Sequence, residues 1–357
     1  MKITLSKFAT TLLVGAFITT AATAAQTCNK EFYAPKWDHQ APTVDAFNYV
    51  RAETDEQFKG YIKNYNAFGK FVHSRKPYDV HNQVTVSGNR DTIYSFGVFD
   101  LSKSPLTIEL PKTNGRYMSL MMVSQDHDIY PAYYAPGKWT FTQKEIGTRY
   151  VMFAIRTFAD PNSKKDMQEA YKLQDSVKVI QKDKGNPNGM PKWNIKEMEA
   201  LRDSYNKIGS TTSSSIRYFG VKCDRSYLEN AMGVAVGWGG LQAKDAYYIP
   251  VKVEKNDGKT PYVLHVPKDV PVKGFWSVTV YGKDRFMVPN KLDVYSYNNV
   301  TAQKNRDGSI DIHFGGDPKA KNYIPITPGW VYIVRLYRPD GSILKGEWKF
   351  PKPQQVK

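Results

Sequence analysis

Two series of short β-type runs constrain this chain more than any other feature. The first is QVTVSG, TIYSFGVFDL, PLTIELP, RYMSLMMVS and RYVMFAIRTF, between residues 83 and 158. The second is AYYIPVKVE, YVLHVP, GFWSVTVYG, SIDIHFGG and GWVYIVRLYRP, between 246 and 339. Each run is rich in β-branched and aromatic residues, and Gly, Pro or Asn stops it. In the first series they recur roughly every 12 residues, the spacing of a β-sandwich. A mainly β chain of two domains follows, and NDG (256–258) and RDG (306–308) predict hairpin turns in the second.

Helical periodicity fills the remainder. Thr43 can cap a short helix containing Phe47 and Val50. Thr54-x-x-Gln57 predicts a second, with Phe58, Tyr61, Ile62 and Tyr65 on one face. Between Ser163 and Leu241, Leu173, Val177 and Ile180 form one stripe. Asn194-x-x-Glu197 caps another helix, with Met198, Leu201, Tyr205 and Ile208 inward. QKDKGNPNG (181–189) reads as an exposed loop. The glycines of GVAVGWGG (233–240) lack a phosphate-loop ending and predict close packing or a turn.

The start of the chain reads as an export signal. Lys2 and Lys7 precede the apolar run Phe8–Ile18, which is well short of the ~20 residues a bilayer needs. Ala22-Thr23-Ala24 fits a cleavage site before Ala25, giving a periplasmic or secreted protein without a transmembrane segment. The divisions expected are a signal peptide (1–24), an N-terminal domain with two helices and a sandwich (25–160), a helical linker (161–241) and a C-terminal domain (242–357). In an oxidising compartment the two cysteines, Cys28 and Cys223, predict a disulfide. The formal charge of +16 favours anionic partners. Its lysines are interspersed with acids, however, and no zinc-finger spacing or basic helix points to nucleic acid.

NRDTIYS (89–95), FDLSKSPLTIELP (99–111) and GRYMSLMM (115–122) resemble the first module of a bacterial exported family of tandem domains of unknown function, DUF1254 followed by DUF1214. YVLHVPKDVPVKGFWSVTVYGKDRFMVPN (262–290) and GWVYIVRLYRPDGSILKGEWKFP (329–351) resemble the second. The resemblance implies an immunoglobulin-like sandwich followed by a jelly-roll-like one. It carries no catalytic residues to transfer.

No nucleophile elbow, zincin helix, dinucleotide fingerprint or P-loop is present. Arg90 and Asp91, with Tyr94, can read as an anion clamp and a base, or as a structural ion pair at a strand start. Asp126, His127 and Asp128, with His73 and His81, could hold a divalent Ca²⁺, Mn²⁺ or Zn²⁺ ion, but only from a loop. No cofactor is otherwise implied. Tyr130, Tyr133, Tyr134, Trp139, Trp276, Tyr281, Tyr295 and Tyr337 could form ligand platforms or simply core. Arg116 and Arg335, alternating with apolar residues, read as buried cations that pair with an acid and fix the domain joint.

Two functional readings follow. One is an envelope protein, able to assemble as a homo-oligomer, that binds a polar, glycan-like or anionic ligand, small or polymeric, at a sandwich edge. Its candidate ligand-binding residues are Arg90, Asp91, Tyr94, His127, Asp128, Trp276 and Tyr281, with Arg90, Asp91, Tyr94 and His127 bordering one pocket. The other is a hydrolase or lyase using acid and base groups around Asp91 and His127.

Overall fold

The structure is a computed structural model that describes residues 42–83, 87–212 and 215–356. The expected signal peptide, Cys28 and residues 84–86 of the QVTVSG run lie outside the described residues. In the first half, α1 (Tyr49–Tyr65) leads to β1 (Val72–His73), β2 (Thr92–Asp100), β3 (Leu106–Leu110), β4 (Met118–Ser124), β5 (Tyr133–Tyr134) and β6 (Gly137–Phe141). The single-turn α2 (Gln143–Ile146), β7 (Tyr150–Phe158), α3 (Lys164–Asp175) and β8 (Lys178–Gln181) complete it. Then come α4 (Ile195–Gly209) and α5 (Tyr227–Gly237). The second half holds β9 (Ala246–Val251), β10 (Tyr262–Val266), β11 (Trp276–Tyr281), β12 (Ser296–Asn298), β13 (Ile310–Phe314), β14 (Tyr323–Ile324), β15 (Val331–Tyr337), α6 (Gly341–Leu344) and β16 (Gln354–Gln355).

The protein is mainly β, with its strands in four sheets, of order β1-β2-β7-β4-β5, β6-β3-β8, β14-β13-β10-β16 and β12-β11-β15-β9. In the first half, Met118, Leu120 and Met122 of β4 and Val151, Phe153 and Ile155 of β7 pack against Leu106, Ile108 and Leu110 of β3. In the second, Trp276, Val278 and Val280 of β11 and Tyr332, Val334 and Leu336 of β15 pack against Leu264, Ile310, Ile312 and Phe314. Strands β4, β7 and β11 are nevertheless buried at every residue, and β15 at all but its first. Their alternate side chains therefore face a second buried surface, where the inner sheets of the two halves and the helices meet.

Several expectations are corrected. The two N-terminal helices are one, because no Gly or Pro interrupts residues 44–59. Thr54 is not a cap; it lies buried inside α1 and accepts a hydrogen bond from Trp238 Nε1 at 3.2 Å. The stripe ending at Ile180 is not one helix, since α3 stops at Asp175 and β8 pairs with β3 (Thr107 opposite Ile180). Residues 161–181 therefore pack with the first half. The 181–189 loop is also tethered: Asn186 N donates to Asp100 Oδ2 (3.0 Å) and Gly189 N to Tyr150 Oη (2.9 Å). NDG and RDG do turn with positive φ at Gly258 and Gly308, but they are not hairpins. β9 pairs with β15, and β10 with β13, so each turn carries the chain from one sheet to the other. The Asn194 cap forms, and Gly233 packs against the Tyr218 carbonyl, where a Cβ would come within 2.4 Å.

Candidate functional site

The strand registers place two polar rows on the facing inner sheets. In the first half Tyr94, Arg156, Ser119 and Tyr134 lie side by side across β2, β7, β4 and β5. In the second, Tyr248, Arg335, Ser277 and Asn298 lie side by side across β9, β15, β11 and β12. Residues directly opposite on antiparallel strands share a face. Each row thus sets an arginine between a tyrosine and a serine within an apolar surface. The two rows meet: Tyr117, beside the first, packs against Phe275 (5.2 Å) and Tyr337 (5.5 Å), and Asn89 Nδ2 donates to Tyr337 Oη at 2.7 Å.

The two arginines have opposite surroundings. Arg335 donates to Thr279 Oγ1 (3.0 Å), Tyr281 Oη (2.6 Å) and the carbonyls of Ser87 (2.7 Å) and Gly88 (3.2 Å). It also faces Asp91, and so fixes the joint. Burial pushes the Asp91 carboxyl up, while Arg335, Ser277 and Asn298 oppose that shift. Arg156 is only 8 % exposed, yet among the described residues its one hydrogen-bond partner is Met121 Sδ (3.4 Å), a weak acceptor. Its guanidinium lies over the Tyr94 ring at 5.4 Å, and no carboxylate among the described residues pairs with it. Burial opposes its charge, but the surrounding hydroxyls of Tyr94, Tyr248, Tyr117 and Tyr337 outweigh that, and its pKa stays above the usual arginine value. Burial pushes the Tyr117 phenol up to about 12 and raises Tyr248 and Tyr337 as well. These phenols are therefore neutral at pH 7, and they offer dipoles rather than a counter-charge.

Further hydrogen-bonding capacity converges on the same place. Tyr117 Oη and Ser119 Oγ approach each other, as do Ser277 Oγ and Asp91 Oδ2, and all four are buried without a further partner among the described residues. Tyr248 lies beside the Arg335 guanidinium (6.0 Å from its ring), and 38 % of its surface is reached by solvent. The joint therefore brings hydroxyls and the Arg156 cation together beside a tyrosine that solvent reaches. Outside it, a groove of about 480 Å³ has Tyr117 and Tyr134 in its wall, together with Lys112, Lys273 and Arg338.

The family described as "Protein of unknown function (DUF1254)" matches residues 68–181, and that described as "Protein of unknown function (DUF1214)" matches 248–341. The chain is a tandem DUF1254–DUF1214 protein. Tyr94, Tyr117 and Arg156 come from the first domain, and Tyr248, Arg335 and Tyr337 from the second. The two polar rows thus come one from each domain. A search of curated proteins returns no match. Among solved structures, the VPA0106 protein of Vibrio parahaemolyticus is 20 % identical with a TM-score of 0.64, over 88 % of this chain and 98 % of that one. That likeness establishes the fold alone. An uncharacterised protein of Burkholderia cenocepacia is 12 % identical with a TM-score of 0.49, over 87 % of this chain and 88 % of that one.

Of the residues singled out from the sequence, Arg90, Asp91, Tyr94 and Tyr281 gather at the domain joint. Arg90 pairs with Asp293 (3.2 Å) over the Tyr295 ring (5.1 Å), and Tyr281 Oη donates to the Gly88 carbonyl (2.7 Å). His127 does not join them. Its Nδ1 meets Asn230 Oδ1 (3.0 Å), its Nε2 accepts from Gly239 N (2.9 Å), and it packs against Phe219 and Trp238. Burial, aided by Arg225, lowers its pKa to about 3. A neutral imidazole with both nitrogens engaged is neither a ready base nor a metal ligand. Asp128 accepts from Lys222 N at 2.6 Å and holds that turn. Among the described residues no three His, Cys, Asp or Glu are placed to hold a metal. Trp276 is core of the second sandwich, against Phe350 at 5.8 Å. Arg116 pairs with Asp166 (2.6 Å) within the first half rather than at the joint.

Sequence reasoning missed Arg156, Tyr117 and Tyr248. The available signal was Arg156 inside the mostly apolar stretch YVMFAIRTF (150–158), which matches Arg335 inside VYIVRLY.

Proposed function

We propose that the protein binds an anionic ligand at the joint between its two domains, with Arg156 as the anchor. The observation that supports this is the guanidinium itself: buried, lacking a carboxylate partner among the described residues, and bordered by neutral tyrosine hydroxyls. A buried charge is ordinarily paired, because an unpaired one costs several kcal/mol. An anionic head group would supply the pairing and accept from Tyr117 and Tyr248. The basic groove outside would raise the local concentration of anions. Asp91 in this reading balances Arg335, and the acid–base couple with His127 has no support from their separate surroundings. The immunoglobulin-like and jelly-roll-like identities of the two halves remain part of this proposal, supported by two packed sheets in each. So do export, the Cys28–Cys223 disulfide and self-assembly. For the disulfide, the support is that Cys223 is not a free thiol.

The test is a thermal-shift and calorimetric screen of small carboxylates, phosphates and sulfates against the full protein and Arg156→Met. A binder should raise the melting temperature of the wild type in proportion to RT ln(1 + [L]/Kd) and leave the variant unmoved. Equal shifts in both proteins would remove Arg156 from the site and the reading with it.

A further inference from the structure

A series of rings leads from the protein surface to Arg156. Tyr65, at the end of α1, is 60 % exposed and lies 5.9 Å from Tyr61. Tyr61 lies 5.0 Å from Phe96, and Phe96 stacks on Tyr94 at 5.6 Å with the planes 4° apart. Tyr94 carries the Arg156 guanidinium over its face. Trp238 flanks the series, 6.3 Å from Tyr61. Tyr61, Phe96 and Trp238 are only half-buried, although they pack against a hydrophobic core. An apolar wall that stays partly open along its length and terminates at a cation has two chemistries in one line. We infer that the ligand is an amphipathic monoanion: a carboxylate whose apolar body lies along Tyr65, Tyr61 and Phe96 while its head reaches Arg156.

The inference rests on the anion reading above but adds the body to the head. A head-only site would take acetate as well as any longer acid, since nothing beyond the guanidinium and the hydroxyls would contribute. A site with an aromatic wall should instead gain about fourfold in affinity for each methylene that covers it, at the free energy of burying a CH₂. A neutral alcohol of the same length would keep the wall and lose the charge, leaving the cation unpaired. The aromatic wall favours a chain or ring over a second polar group, because half-exposed ring faces offer apolar area and no acceptor for a sugar's hydroxyls.

Calorimetry of the full protein with acetate, butanoate, hexanoate, octanoate and octan-1-ol tests this. The expected result is affinity rising steadily along the acids and falling at least a hundredfold for octan-1-ol. Tyr65→Ala, at an exposed position that does not endanger folding, should flatten the gain for the longest acids and leave the shortest unchanged. Phe96→Leu should weaken hexanoate and octanoate several-fold. If all the acids bind equally well and Arg156→Met abolishes each, the amphipathic ligand is refuted and the anion site stands. If octan-1-ol binds as well as octanoate, the wall is real but Arg156 is no anchor, and both readings fall. If no acid of any length binds, the inference falls, and phosphate or sulfate binding lost in Arg156→Met would keep the anion site.

Discussion

Replacing Arg156 with Met should stabilise the ligand-free protein. Burying one ion costs several kcal/mol even after the surroundings relax. Arg156 recovers about 1–2 kcal/mol of this by lying over Tyr94, and little from Met121 Sδ. Methionine has a similar length, leaves no large cavity and suits a site already lined by Met121, Phe96 and Phe158. The net change is a gain of about 1–3 kcal/mol, or about 1.5–4 °C in melting temperature for a chain of this size. Differential scanning calorimetry in anion-free buffer measures it, with Arg156→Lys as a control that keeps the charge and should show no gain. A fall of several degrees in Arg156→Met would mean that the guanidinium is a structural node whose contacts outweigh its desolvation, and the argument for a bound anion would lose its basis.

The same substitution at the other row should act in the opposite direction. Arg335→Met removes hydrogen bonds to Thr279, Tyr281 and the Ser87 and Gly88 carbonyls and leaves Asp91 without its cation. A loss of about 3–5 kcal/mol in a urea titration is expected. Asp128 supplies a pH test. Burial pushes its pKa to about 6, with Lys222 opposing and Asp126 adding to the shift. A raised folded-state value means that its contribution is complete below about pH 4 and is lost as pH rises through about 6. The stability of the wild type relative to Asp128→Asn should therefore decline by about 2–3 kcal/mol between about pH 4.5 and about pH 7.5; a flat difference would refute the shift. Finally, exported protein should begin within two residues of Ala25, and its intact mass should rise by two protons on reduction of Cys28–Cys223. N-terminal sequencing that returns Met1, or two thiols alkylated before reduction, would contradict this.

Much of the fold was legible because local chemistry decided it. β2, β3, β4, β7, β9, β10, β11, β13 and β15 all fall within runs recognised from β-branched and aromatic composition. The Asn194 cap and the tight glycine at 233 likewise followed from nearest neighbours. What failed depended on partners distant in sequence. Val179 and Ile180 fit a helical stripe as well as a strand, and only pairing with β3 settles the matter. Gly258 and Gly308 turn as glycines in such positions do, but which strands then pair is set by the packing of one sheet on another. The site divides in the same way. Asp91 and Tyr94 stood out because NRDTIYS is locally unusual. His127 stood out equally and is inert, since Asn230 and Gly239 occupy its ring from more than a hundred positions away. Arg156 was hidden because a cation in a doubly buried strand becomes meaningful only when the opposite wall, Tyr248 and Tyr337, is known.

That opposite wall has a consequence for how the chain acquires its structure. β2, β4 and β7 span residues 92–158 and pair among themselves, so the first sheet can form early from contacts of modest sequence separation. The β9–β15 ribbon that covers its inner face requires residues 246–337. Until those residues have emerged and paired, the nascent sheet carries Phe96, Met121, Phe158 and a bare guanidinium on an open surface. Such a half-built face adheres readily to other chains. The joint between the two polar rows is thus also the last part of the molecule to close, and the exposed interval before closure is when the chain is most prone to aggregate.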